Sequence, residues 1–355
     1  MMAEHVKRWR LPIAILIAGA VIAIGLPMLL ANQTYLLRLA TSCALLVTLA
    51  SAWNQVGGLT GYPSFATAAF FGLGAYASAV MQKYGWSSLS GHAAAGIVTA
   101  ILAAPFGFVV LRLRGHYFAV ASLMLAFILR ELTTGWADLT GGGMGLNLPG
   151  AGGDPLAVAR LSLEVMVMIA ATSLAVSVVL ARSWLGFGLA CIRMNETAAL
   201  SAGINAPLLK TLTFTISAAL CGLAGAAYAS WIGYIDPSDV YDVMWSVRPI
   251  IAALIGGVGT LFGPLVGAVL YLAFEELMWR NLLTFGTGIG SAVIHNGVLL
   301  HNRQQSMGPM VYRQVAKYTA HPAEDSLVLQ NHNSKVRYRN IWIRKIGAYD
   351  TPEVK

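Results

Sequence analysis

Four stretches of this chain, residues 11–37, 39–82, 84–111 and 211–235, contain no ionised side chain. About 20 apolar residues cross the hydrocarbon core of a bilayer, and an Asp, Lys or Arg at its centre costs roughly 2.5–3.5 kcal/mol. Such runs fit transmembrane helices and are too numerous to be the core helices of a soluble globule. With 57% hydrophobic and 11% charged residues in 355, an ordinary water-soluble domain is excluded. The expected fold is an all-α polytopic membrane protein with about eight transmembrane helices, near 11–31, 35–53, 63–81, 92–111, 116–134, 161–181, 208–232 and 247–273.

Basic residues set the expected orientation. Lys7, Arg8 and Arg10 precede the first span, Arg112 and Arg114 follow the fourth, and Arg182, Arg193 and Lys210 lie between the sixth and seventh. All three clusters fall on one side, which the positive-inside rule makes the cytoplasm, with the N-terminus there too. Asp138, Asp154, Asp236, Asp239 and Asp242 fall on the other; Arg38 is the exception, near enough to a helix end to snorkel. The first span is long enough to remain as a helix, with no small-residue cleavage pattern after it. The net charge of +8 suits this topology and anionic membrane lipid, and nucleic acid has no place in it. Cys43, Cys191 and Cys221 are scattered, which predicts packing residues and neither disulfides nor a metal site.

Between the sixth and seventh spans, residues 186–205 form a polar, helix-forming segment that carries Arg193 and Glu196. An amphipathic helix outside the bilayer gains little unless something packs on it, so this segment is expected to be a docking handle. Small residues recur about every four positions at Gly72, Gly74, Ala75 and Ala79, at Gly222, Gly225 and Ala229, and at Gly263 and Gly267. That spacing lets helix backbones approach closely, most often within one subunit. Residues 54–63 and 256–264 are rich in Gly and Pro and are expected to be broken or re-entrant helices. Gly57, Gly58, Gly61, Gly256, Gly257, Gly259 and Gly263 are then candidate backbone of a translocation path. The glycine-rich stretch 140–154 lacks the Gly-Lys-Ser/Thr of a phosphate loop, and Asp236, Asp239 and Asp242 do not have calcium-loop spacing. Arg130 and Glu131 are expected to form an interfacial pair.

Five blocks together resemble the LivM-type permease of branched-chain amino acid ABC importers. They are Gly-Tyr-Pro-Ser-Phe-Ala-Thr-Ala-Ala-Phe-Phe-Gly-Leu-Gly-Ala-Tyr at 61–76, Leu-Arg-Leu-Arg-Gly-His-Tyr-Phe-Ala at 111–119, Thr-Gly-Gly-Gly-Met-Gly-Leu at 140–146, Ile-Arg-Met-Asn-Glu-Thr-Ala-Ala at 192–199 with Gly203 and Ile204, and Ile-Gly-Gly-Val-Gly-Thr-Leu-Phe-Gly-Pro at 255–264. The likeness covers about residues 10–285. It implies a permease that is not an enzyme and has no catalytic residue, bound to a LivH-like second permease, two cytoplasmic ATPase subunits and a periplasmic amino-acid-binding protein. ATP and Mg would sit on the ATPases, and no cofactor on this chain. The family's ATPase-coupling segment maps onto Arg193, Met194, Asn195, Glu196, Ala199, Gly203 and Ile204. Residues 63–66 depart from the family's usual Ser-Leu-Gly-His-like run, and a last apolar segment is expected after residue 285.

After Gly290 the composition instead becomes alternating and β-like, at 293–301, 326–332 and 336–344. The expected domains are therefore a permease over 1–290 and a β-rich fragment over 291–355, which eight spans would place in the cytoplasm. The tail resembles the terminal strands of a 3-keto-disaccharide hydrolase-type β-sandwich. That likeness implies either a chimeric C-terminus foreign to the permease or, as an alternative function, a membrane-anchored sugar-active enzyme. The tail has no paired carboxylates near the positions such an enzyme requires, and the spacing of His295, His301, His321 and His332 fits no standard metal site.

Overall fold

A computed structural model describes residues 2–29, 33–113, 115–148, 155–284, 292–295 and 298–302. In chain order the elements are α1 (Met2–Leu29), α2 (Thr34–Thr60), α3 (Thr67–Lys83), α4 (Ser88–Val110), α5 (His116–Gly135), α6 (Ala137–Thr140), a 3-10 turn, β1 (Leu146–Asn147), α7 (Pro155–Ala181), α8 (Trp184–Met194), α9 (Glu196–Ser201), α10 (Ala206–Ile232), β2 (Tyr234–Ile235), α11 (Pro237–Val240), α12 (Met244–Gly256), α13 (Gly263–Thr284), β3 (Ala292–His295) and β4 (Val298–Asn302). The chain divides into two compact units, 1–273 and 274–355. In the second, β3 and β4 pair antiparallel, at the first place where the sequence alternates. The other expected strands, 326–332 and 336–344, lie outside the described residues.

Among the described residues, six helices (α1, α2, α4, α5, α7 and α10) are long and apolar enough to cross a membrane. They correspond to six of the eight expected spans, and the chain is an all-α polytopic membrane protein. α2 and α10 are mostly buried, whereas α1, α4 and α5 turn most of their surface outward. Apolar side chains such as Ile97, Ile101, Val120 and Ile128 are exposed there, as a lipid-facing surface requires.

The third span differs from the expectation in where it breaks. Residues 54–60 stay helical as the end of α2, and the non-helical stretch is 61–66, opened by Gly61 in the left-handed conformation (φ 78°). At 17 residues, α3 is about 25 Å long, short of the ~30 Å core, so the non-helical stretch completes the crossing. Irregular backbone at that depth needs partners within the protein, and side chains supply them. Trp53 Nε1 donates to Ser64 O (2.8 Å), Ser122 Oγ accepts from Phe65 N (2.9 Å), and Ser246 Oγ donates to Phe65 O (2.7 Å). Ser246 Oγ also accepts from Ala68 N (2.9 Å), so the first turns of α3 and α12 meet on one hydroxyl.

Where the eighth span was expected, broken or re-entrant at 256–264, the chain forms two antiparallel helices joined by a turn. A Cβ added at Gly256 would meet the backbone of Gly263 and, at 2.8 Å, Gly267 N; one added at Gly267 would meet Ala252 and, at 2.8 Å, Gly256 N. Contacts that pair 252 with 267 and 256 with 263 require the chain to reverse in the turn at 257–262. The span count on which a cytoplasmic tail rested therefore no longer holds beyond Gly263.

Backbone-close crossings of this kind hold the bundle together. A Cβ on Gly74 would fall on the Gly222 backbone and one on Gly225 on Phe71 O, so α3 and α10 touch without intervening side chains. The recurring small residues thus serve packing within one chain. Gly74→Leu is expected to destabilise the detergent-solubilised protein by at least ~1–3 kcal/mol, measured as a lower thermal midpoint. Gly25→Leu, where an added Cβ meets nothing within 4 Å, should leave that midpoint unchanged.

Candidate functional site

The bundle has two polar ends. At one, β1 pairs with β2 (Leu146 with Ile235, Asn147 with Tyr234), and the three aspartates beyond are all engaged. Asp236 Oδ1 accepts from Ser238 N (2.8 Å) and Asp239 N (3.1 Å), capping α11; Asp239 Oδ2 accepts from Tyr228 Oη (3.0 Å); Asp242 Oδ1 accepts from Met244 N (2.7 Å). Burial pushes the Asp239 carboxyl above its ordinary range, and the Tyr228 hydroxyl partly opposes this. These carboxylates organise a turn. Arg130, expected with Glu131 to form an interfacial ion pair or a snorkelling pair, donates to Ser238 Oγ (3.2 Å).

The opposite, basic end carries the 186–205 segment. Sequence reading made it one amphipathic helix; it is two, because Asn195 adopts an extended conformation (φ −159°, ψ 106°) and caps the second. The cap follows from residue chemistry: a short side-chain oxygen satisfies a free N–H at a helix start. Ser183 Oγ accepts from Gly186 N to open α8, Asn195 Oδ1 from Ala198 N to open α9, and Asn205 Oδ1 from Leu208 N to open α10. Gly203, at φ 83°, supplies the left-handed residue that ends α9.

The inner face of the segment packs on its own small core of Leu180, Leu189, Ile192, Ala199, Ala206 and Leu209, with Ile204 against it. Of the seven residues assigned to ATPase coupling, Ala199 and Ile204 therefore face inward, Glu196 is half-buried, and Arg193, Met194, Asn195 and Gly203 are exposed. Beside them Trp184, Phe187, Met194 and Leu200 expose large apolar surface, with Met194 at 89%. Trp184, Phe187 and Leu200 escaped the sequence reading, although a Trp and a Phe three apart in a polar connection were a signal.

Two polar junctions bind this segment to the bundle. In the first, Lys210 of α10, only 3% exposed, reaches Glu196 Oε1 at 2.7 Å. Its Nζ also donates to Leu111 O (3.1 Å) and Tyr62 Oη (3.2 Å) and lies 4.3 Å from the centre of the Tyr62 ring. Tyr62 Oη in turn donates to the second oxygen of Glu196. A buried ammonium is tolerable only with such a set of acceptors. The junction ties α9, α10, the end of α4 and the 61–66 stretch together.

In the second, Arg193 Nη1 donates to Gly58 O at 2.7 Å. Asn54, one turn earlier in α2, bonds the α12–α13 turn twice: Gly259 N donates to its Oδ1 (2.8 Å) and its Nδ2 donates to Thr260 O (2.9 Å). Six of the seven candidate path glycines gather around this junction: Gly58 and Gly61 at the end of α2, Gly256, Gly257, Gly259 and Gly263 around the turn. Gly57 instead packs on the Trp53 ring, where an added Cβ would lie 2.6 Å away. Tyr62, Asn54 and Thr260 were not singled out by sequence, and Lys210 only as a charge that sets orientation; two adjacent amides, Asn54 and Gln55, in the apolar run of α2 were the available signal for Asn54.

Six apolar crossing helices, a helix hairpin and a structured polar segment at one end define a multi-pass membrane protein. The sequence profile of the family described as branched-chain amino acid transport system / permease component matches residues 35–295, and the chain belongs to that family. LivM, the high-affinity branched-chain amino acid transport system permease protein of Salmonella typhimurium strain LT2, is 29% identical over 293 residues, covering 74% of this chain and 68% of its own length. LivM of Escherichia coli strain K12 is 28% identical over the same extent. Within that family the chain is thus similar to LivM-type permeases. No solved structure gives a significant match.

Proposed function

We propose that this chain is a transmembrane permease subunit of an ATP-driven importer for branched-chain or related amino acids, coupled to separate ATPase subunits through residues 186–205. The observation that carries the reading is the α8–α9 segment. It is folded on its own core, fixed to four other parts of the bundle, and still leaves Met194 and Leu200 exposed on its outer side. A surface both rigid and apolar suits docking. The positive-inside rule puts this end, with the N-terminus, in the cytoplasm of a bacterium whose inner membrane holds the protein. ATP and Mg then belong to two ATPase partners, and hydrolysis is theirs. A LivH-like second permease and a periplasmic amino-acid-binding protein complete the assembly. The glycine junction at 58–61 and 256–263 serves as the moving backbone at the cytoplasmic mouth of the translocation path.

The test is co-purification of the solubilised chain with the ATPase subunits of its transporter. The double variant Met194→Asp, Leu200→Asp alters only exposed side chains, so stability should change little, about 0.5 kcal/mol per site. Capture is expected to fall by about 30-fold, the loss of one interface hot spot of ~2 kcal/mol. Undiminished capture would remove the docking assignment.

A further inference from the structure

The turn at 257–262 is short, far in sequence from the coupling segment, and yet hydrogen-bonded to the helix that the coupling segment grips. Three observations make it one unit with that segment. First, Asn54 is 4% exposed, and its amide meets two successive backbone groups of the turn, Gly259 N and Thr260 O, at 2.8 and 2.9 Å. A primary amide is among the few side chains that can accept from one residue and donate to the next. Secondly, Arg193 holds Gly58 O, one helical turn beyond Asn54, and a Cβ on Gly259 would run into the Arg193 guanidinium. Thirdly, the turn is braced internally: Thr260 Oγ1 donates to Gly257 O (2.8 Å) and accepts from Gly263 N (3.1 Å). Gly257 and Gly259 take φ values of 102° and 81° that L side chains rarely adopt.

A turn stiffened in this way transmits a displacement applied at the Asn54 fork. It leads into α12, whose first turn holds Ser246 against Phe65 and Ala68 where α3 begins. We propose that Asn54 is a positioning residue for transport: its amide fork makes the α12–α13 turn follow the coupling segment, so that movement at Arg193 reaches the junction of the two broken spans. This rests on the coupling role given to residues 186–205 above. Spatial continuity alone does not establish energetic coupling, so the test measures coupling itself.

The complete transporter, reconstituted in proteoliposomes with its ATPases, is compared for wild type, Asn54→Leu and Asn54→Asp, reading both leucine uptake and ATP hydrolysis. Asn54→Leu removes both bonds, while Asn54→Asp keeps the acceptor for Gly259 N and loses the donor to Thr260 O. The expected result is ATP hydrolysis within about twofold of wild type, with uptake per ATP down about tenfold in Asn54→Leu and less in Asn54→Asp. Backbone hydrogen exchange over 257–262 should rise in the same order. Uptake per ATP unchanged despite faster exchange overturns the proposal, as does a parallel fall of uptake and hydrolysis, which would make Asn54 merely structural. Should Asn54→Leu not accumulate in the membrane, Asn54→Asp carries the same comparison. If the wild-type chain captures no ATPase, the coupling reading itself has failed; if capture is intact and the ratio does not move, only the fork has.

Discussion

Reversing the charge at Glu196 is expected to abolish uptake, and exchanging the charges of Glu196 and Lys210 is expected to restore part of it. From sequence alone, Glu196→Lys should only uncouple hydrolysis from transport. The structure adds a second effect, because Glu196 is the carboxylate partner of a lysine that is 3% exposed. Removing one member of a buried pair costs about 3–5 kcal/mol, and a second ammonium beside the first adds repulsion. Glu196→Lys should therefore lower the thermal midpoint as well as uptake. In the exchanged variant Tyr62 Oη can still donate to a carboxylate at 210, but Leu111 O loses its donor, so recovery is partial. Wild-type uptake by the single variant would sink the junction; an exchanged variant no better than the single one would show that attraction within the pair is not what holds it.

Leucine at Gly256 or Gly267 is expected to be the most damaging substitution within the membrane. Each glycine lies where α12 and α13 cross backbone to backbone, and even a β-carbon at either meets main-chain atoms of the partner helix. Main chain cannot swing aside as a flexible side chain can, so the hairpin must open. We expect a loss of at least ~3 kcal/mol, the upper end for an overpacked site, read as loss of monodisperse protein after solubilisation. A stable, transport-competent Gly267→Leu variant would refute the antiparallel packing of the two helices.

Charge-free runs and basic clusters made the crossing helices legible, because membrane insertion constrains composition directly. What they did not reveal depends on contacts between distant residues. Residues 247–273 read as one span, broken or re-entrant at 256–264, since Gly and Pro signal an interruption without saying which; the reversal rests on Gly267 fitting against Ala252. Residues 57 and 58 read as breakers, each glycine costing a helix about 1 kcal/mol. They remain helical because the Trp53 ring fills the space at Gly57 and the hairpin turn abuts Gly58. Lys210 read as one more positive charge at a helix end. That it is buried, and therefore partnered, followed only from the fold. The 186–205 segment stood out by its polarity, yet which of its faces turns outward required the inner cluster around Leu189 and Ile192.

The stretch 61–66 also has a mechanical meaning. It is clamped at one end through Tyr62 to Glu196 and Lys210, and at the other through Phe65 to Ser122 and Ser246. A residue contributes about 1.5 Å of length in a helix and about 3.3 Å when extended. Only residues 63 and 64 lie between the two clamped positions, so even fully extended the three steps from Tyr62 to Phe65 span about 10 Å. The stretch is in effect a short tether that keeps the Glu196–Lys210 junction and the first turn of α12 within reach of each other.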